Sequence, residues 1–211
     1  MSIPAGSVRL VGDLVIPPKA PGVVAFAHGS GSGRHSPRNR LVAAQLQEAG
    51  LATLLLDLLT EKEEWSDQRR GGDLRFDIPL LAGRLEAASG WLAQRGETAG
   101  LKIGYFGAST GAAAALVAAG EWPVGEVAAI VSRGGRPDLA DRMLPLVTAP
   151  TLLIVGSLDS VVLELNRQAL ERLTCEKELV IVPGATHLFE EPGALEEVAR
   201  LAVDWFRSHF A

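Results

Sequence analysis

The sequence predicts an α/β fold, a mostly parallel central sheet with helices on both faces. Three observations predict it. Residues 23–27 and 51–56 are almost continuously apolar, as suits strands buried on both faces rather than one. Helical spacing separates such runs, clearest in Ile78, Leu81, Leu85, Ala88 and Leu92 at steps of three and four. The reactive residues His28, Asp57, Ser109, Arg133, Asp159 and His187 each follow an apolar run. In parallel sheets of this kind ligands bind beyond the carboxyl ends of the strands. With 211 residues, the chain reads as a single domain over 1–211.

The elements follow in order. Residues 8–16 read as one or two short strands, with Gly12-Asp13 as a hairpin turn. Pro17-Pro18 and Pro21-Gly22 close that section. Strand 23–27 ends in the glycine-rich loop His28-Gly29-Ser30-Gly31-Ser32-Gly33. A helix over about 38–49 stops at Gly50, and strand 51–56 closes on Asp57. Residues 60–72 are polar, charged and poor in apolar spacing, which predicts an exposed excursion. Asp77 caps the next helix, where Pro79 is tolerated in the first turn. Strand 101–106 leads through Gly107-Ala108-Ser109-Thr110-Gly111 into an alanine-rich helix. Strand 127–131 ends at Ser132-Arg133-Gly134-Gly135, and Pro137-Asp138-Leu139 opens a short helix or loop. Strand 151–155, a helix over 162–173, strand 178–182 and a final helix over 194–210 complete the chain.

Composition narrows the function. At 47% hydrophobic residues the chain can bury a sizeable core. A formal net charge of −5 argues against a nucleic-acid partner. Cys175 stands alone, so no internal disulfide forms. The opening residues carry no basic region followed by an apolar core, and no apolar run is long enough to span a bilayer. A cytoplasmic protein without membrane contact, monomer or homodimer, is the expectation.

Strand, Gly-x-Ser-x-Gly, helix is the context of a nucleophile elbow, in which a sharp turn lifts Ser109 out of the sheet. The bland alternative is a tight turn in which Ser109 and Thr110 cap a helix. A serine hydroxyl needs a base. Of the four histidines, His187 stands in a short loop after the last strand, placed to swing over Ser109, whereas His209 lies near the end of the last helix. The base needs an orienting carboxylate. Asp159 follows a buried strand between Ser109 and His187, and Asp57 competes for the role or else ties its own loop. The N–H of Thr110 and, from the loop after strand 23–27, that of Ser30 with Gly31 close behind are the candidate oxyanion donors.

The order Ser109, Asp159, His187, with a His-Gly loop upstream, resembles the α/β-hydrolases over nearly the whole chain. The small size and the lack of a lid-sized insertion after strand 127–131 are most similar to the dienelactone hydrolase branch. The resemblance implies a Ser109–Asp159–His187 triad, a minimal fold without a large lid, and neither metal nor organic cofactor. That branch uses a cysteine nucleophile; Ser109 in its place turns the expectation from lactones toward small carboxylic esters.

Arg34, Arg38, Arg40 and Arg133 read either as solvated or salt-bridged surface residues or as a positive rim holding an acidic substrate group. Two other classes compete with the hydrolase. Gly29, Gly31 and Gly33 followed by Asp57 imitate a dinucleotide fingerprint, but its last glycine would fall at Arg34. A catalytically silent ligand-binding domain of the same fold is the other.

Overall fold

The computed structural model describes residues 1–123 and 125–211. One eight-stranded sheet runs through it in the order β1-β2-β4-β3-β5-β6-β7-β8. The strands are β1 (Ser2–Ala5), β2 (Val8–Val15), β3 (Gly22–Ala27), β4 (Ala52–Leu56), β5 (Lys102–Ala108), β6 (Val127–Arg133), β7 (Thr151–Gly156) and β8 (Lys177–Val182). β1 and β2 pair antiparallel, β2 pairs antiparallel with β4, and every pairing from β4 to β8 is parallel. β3, β4 and β7 are buried along their whole length, as their unbroken apolar runs require.

The helices are α1 (Pro37–Glu48), α2 (Glu61–Arg70), α3 (Ile78–Gln94), α4 (Thr110–Glu121), α5 (Ser160–Arg172) and α6 (Ala194–Phe210). They divide the core into two layers. On one face Ala25, Tyr105, Ile130 and Leu153 pack under Leu81, Leu85, Leu92 and the alanines of α4. On the other, Val24, Phe26, Phe106, Val131 and Ile154 pack under Val42 and Leu46 of α1 and Val198, Ala202 and Phe206 of α6. Phe26 and Phe106 lie opposite each other in the β3–β5 register, with ring centroids 4.9 Å apart.

Two predicted segments differ. The hairpin turn lies at Gly6, where φ is 63°, and not at Gly12-Asp13; β2 runs straight through those residues to pair with β4. Residues 60–72 are largely exposed, as expected, but they are ordered as a helix. They hold α2, whose start is fixed by a reciprocal capping box: Thr60 Oγ1 accepts from the Glu63 N–H, and the Glu63 carboxylate accepts from the Thr60 N–H. The segment after β6 is a 3-10 stretch, Pro137–Leu146, kinked at Asp141.

Candidate active site

Ser109 joins β5 to α4 with φ 53° and ψ −121°, a backbone conformation that a residue with a side chain rarely adopts. The surroundings hold it there. Its N–H donates to the Arg133 carbonyl at 3.2 Å, and its own carbonyl accepts from Ala112 and Arg136, each at 3.1 Å. α4 lies so close to β3 that a Cβ at Gly111 would collide with the Ala27 carbonyl oxygen. The alanine run of α4 meets the same close approach, being buried throughout.

His187 and Asp159 hang from adjacent parallel strands, β8 and β7. His187 Nδ1 lies 2.6 Å from Asp159 Oδ2. The Asp159 side chain is 15% exposed and that of His187 38%, so the pair is dry on one side and open on the other. Asp159 occupies the N-cap position of α5 yet makes no capping bond; its carboxylate is turned to the imidazole instead. The two loops are stitched together by Leu158 N–H donating to Ala185 O at 3.0 Å and Gly184 N–H to Ser157 Oγ at 2.8 Å. Gly134, just past β6, lies under the His187 ring, with room for a Cβ only 3.4 Å from Nδ1.

Asp57 takes the second role read for it, tying its own loop. It accepts from the Arg34 backbone N–H at 2.7 Å and pairs with the Arg34 guanidinium. Arg34 also faces Asp13 at 3.6 Å, so its charge is met within the protein. His28 braces the same loop from below: its Nδ1 faces the Gly29 carbonyl at 3.0 Å and its Nε2 accepts from Leu58 N–H at 3.0 Å. A ring that accepts at Nε2 and donates at Nδ1 is neutral, and burial holds its pKa below the ordinary imidazole value.

Of the donors read from sequence, the Thr110 N–H opens α4 and has no acceptor within the helix. The Ser30 N–H is already engaged, donating to Thr110 Oγ1 at 2.9 Å. Sequence reading missed this clasp, whose partners lie eighty positions apart. Gly31 follows with φ 70°. A cleft of about 1110 Å³ opens beside this loop, lined by residues 28–38 on one wall and by Thr60, Glu64 and Gln68 of the α2 region on the other. Trp65 and Phe76 are exposed, as are Leu158, Val161 and Leu188 beside Asp159 and His187.

Arg133 departs most from the surface reading. It is 7% exposed. Its guanidinium sits 6.0 Å from the centre of the Phe189 ring, and Nε and Nη1 are buried with no hydrogen-bond partner among the described residues. Arg38, in contrast, pairs with Glu190 at 3.0 Å. Among the described residues no three His, Cys, Asp or Glu side chains converge to hold a metal ion, and no helix is long and apolar enough to cross a membrane.

The comparisons with known proteins agree with this architecture. The model of the dienelactone hydrolase family matches residues 10–210. A crystal structure of a dienelactone hydrolase from Anabaena variabilis is 61% identical, with a TM-score of 0.96, covering 99% of this chain and 96% of that one. Est1E from Butyrivibrio proteoclasticus shares the fold at 16% identity and a TM-score of 0.81, covering 99% of this chain and 98% of that one. A putative phosphoribosyl transferase of Mycobacterium tuberculosis is 58% identical over 209 residues, which is 99% of this chain and 46% of that protein. The chain thus spans about half the length of the curated relatives it matches. The match over residues 10–210 places the chain in the dienelactone hydrolase family.

Proposed function

We propose that the protein is a serine hydrolase that cleaves small carboxylic esters through an acyl-enzyme. The observation that carries the reading is the 2.6 Å contact of His187 with Asp159, beyond the same carboxyl ends of the sheet as a serine in strained elbow geometry. Asp159, not Asp57, is the orienting acid, because Asp57 is spent on Arg34.

In this reading His187 Nε2 takes the proton of Ser109 as Oγ attacks the ester carbonyl. Asp159 holds the Nδ1–H and stabilises the imidazolium that forms. The Thr110 N–H receives the developing oxyanion, and the Ser30 N–H joins it, shared with Thr110 Oγ1. His187 then protonates the departing alcohol. Water, deprotonated by His187, attacks the acyl-enzyme and releases the acid, returning Ser109 to its starting state. Gly31 lines the acyl side of the cleft and Arg133 faces the substrate from beneath the His187 loop. No step calls for a metal or organic cofactor. The transferase activity named for the longer relatives we assign to the portion of those proteins outside the match.

Labelling with a fluorophosphonate tests the reading. Covalent mass on Ser109, absent in Ser109→Ala, is the expected result, together with a loss of kcat of roughly 10⁴-fold or more for that variant. A folded protein that takes up no label overturns it.

A further inference from the structure

Arg133 is the last residue of β6, and its side chain lies on the α1–α6 side of the sheet, under Phe189. A buried guanidinium ordinarily has a carboxylate beside it, because removing the charge from water costs several kcal/mol. Here burial, and after it the charge of another cation, Arg38, bring the Arg133 pKa down to about 10. Arg38 stands in the first turn of α1, its own Nε buried and without a partner. Among the described residues its carboxylate contact is Glu190, whose side chain is 63% exposed. The first turn of α1 contains no acidic residue, so the positive end of that twelve-residue helix adds to the same field.

Both arginines neighbour Phe189, Arg133 at 6.0 Å from its ring and Arg38 along the cleft that Phe189 lines at the start of α1, and among the described residues the carboxylate paired with either is the solvated Glu190. The place is next to the triad. The Arg133 carbonyl holds the Ser109 N–H, Gly134 abuts His187, and Phe189 is two residues beyond it. Arg38 borders both the large cleft and a second one of about 460 Å³ lined by Phe189, Glu190 and Leu195.

We propose that Arg133, Arg38 and the start of α1 form an anion subsite beside the triad, which receives a doubly charged, phosphate-type oxyanion carried by the ester substrate. That the anion belongs to a substrate rests on the hydrolase reading above; that the subsite binds an anion does not. A tetrahedral dianion can bond Nη atoms of both arginines and a free N–H of the α1 first turn together. A singly charged carboxylate satisfies fewer of these donors. The anion supplies the missing countercharge, and the ester carbonyl is left facing the elbow.

The experiment uses inorganic phosphate as the probe, at constant ionic strength with chloride as the balance, on the intact chain carrying Ser109→Ala. Phosphate is expected to raise Tm saturably, by several degrees, and to inhibit ester cleavage by the unmodified protein competitively. Both effects should weaken at least tenfold in Arg38→Gln and in Arg133→Met. In phosphate-free buffer Arg133→Met should melt no lower than its parent, because an apolar side chain replaces an unpaired buried charge. Equal responses in parent and variants (an adventitious ion only), no response in the parent, or acetate acting at lower concentration than phosphate would each overturn the proposal. So would an Arg133→Met protein that melts well below its parent, which marks a structural strut. If that variant does not fold, Arg38→Gln, at a half-exposed position, decides alone. Failure of the two readings is distinguishable: phosphate binding without Ser109 labelling removes the esterase and keeps the subsite. Labelling without phosphate binding does the reverse.

Discussion

Ser109 carries a conformational cost that its neighbours enforce. A non-glycine residue at φ 53°, ψ −121° stores about 1–3 kcal/mol. Glycine relieves that strain, less about 0.5–1 kcal/mol for its greater freedom in the unfolded chain. Ser109→Gly is therefore expected to unfold at higher denaturant than Ser109→Ala, by about 1 kcal/mol, while both are inactive; urea melts of the two variants check it. Thr110 is the second residue with a role larger than its type suggests. Its hydroxyl accepts from Ser30 N–H and so sets the direction of the peptide that follows. Thr110→Val preserves the shape and removes the acceptor. We expect kcat to fall about tenfold or more, since small misplacement of oriented groups is costly, with KM changed less than twofold. Steady-state kinetics on one ester reads both constants. The places of Ser109, Asp159 and His187 after β5, β7 and β8 were legible because each follows an apolar run. The Ser30–Thr110 clasp was not, because a bond between residues eighty apart has no local pattern. For Arg133 neither reading, surface residue or positive rim, foresaw burial, since charged side chains are so seldom buried without a partner.

At the scale of elements, what was legible followed periodicity and what was missed lacked it. β3, β4 and β7 announce themselves as apolar runs. β1 is four residues with a proline among them at the sheet edge, too short to alternate visibly. α2 has no apolar stripe; Thr60 and Glu63, three apart, were the signal that could have found it. The contact of α3 with α4 holds a pH-dependent element. Glu86 and Glu121 face each other across it, and Glu86 Oε1 is buried with no hydrogen-bond partner among the described residues. Burial first, then the Glu121 charge, push Glu86 up to about 7. In the window between its ordinary value of 4.5 and about 7 the folded protein holds a proton that the unfolded chain has released. Stability from this pair is accordingly present at the acid end and lost as pH rises through 7. Glu86→Gln keeps a donor toward Glu121 and does not titrate. The difference in urea midpoint between the parent and this variant is expected to shift in favour of the variant from pH 5 to pH 8.

For the whole molecule, the sheet order decides which elements can reach the site, and one arginine ties together parts that the sheet leaves apart. Arg84 on α3 donates through Nη1 to the Ala5 carbonyl of β1 at 3.1 Å and through Nη2 to Glu63 of α2 at 2.8 Å. Its side chain is 11% exposed and that of Glu63 22%. The pair therefore joins the N-terminal hairpin, the α3 layer and the wall of the cleft. Arg84→Met leaves a part-buried carboxylate and a backbone carbonyl without donors, at a cost of about 3 kcal/mol. For a chain of this size that is a fall in Tm of roughly 6–12 °C, measurable by calorimetry.

The placement of Asp159 and His187 just after β7 and β8, the last two strands at one edge of the sheet, bears on how the protein is made. A growing chain presents the glycine loop, the elbow and Ser109 long before the final segment leaves the ribosome. Under the triad proposed above, Ser109 has neither base nor acid until β7 and β8 dock, and its hydroxyl is until then an ordinary alcohol. On that proposal reactivity arrives with the last strands of this sheet, and a half-folded sheet presents no armed nucleophile to acylate.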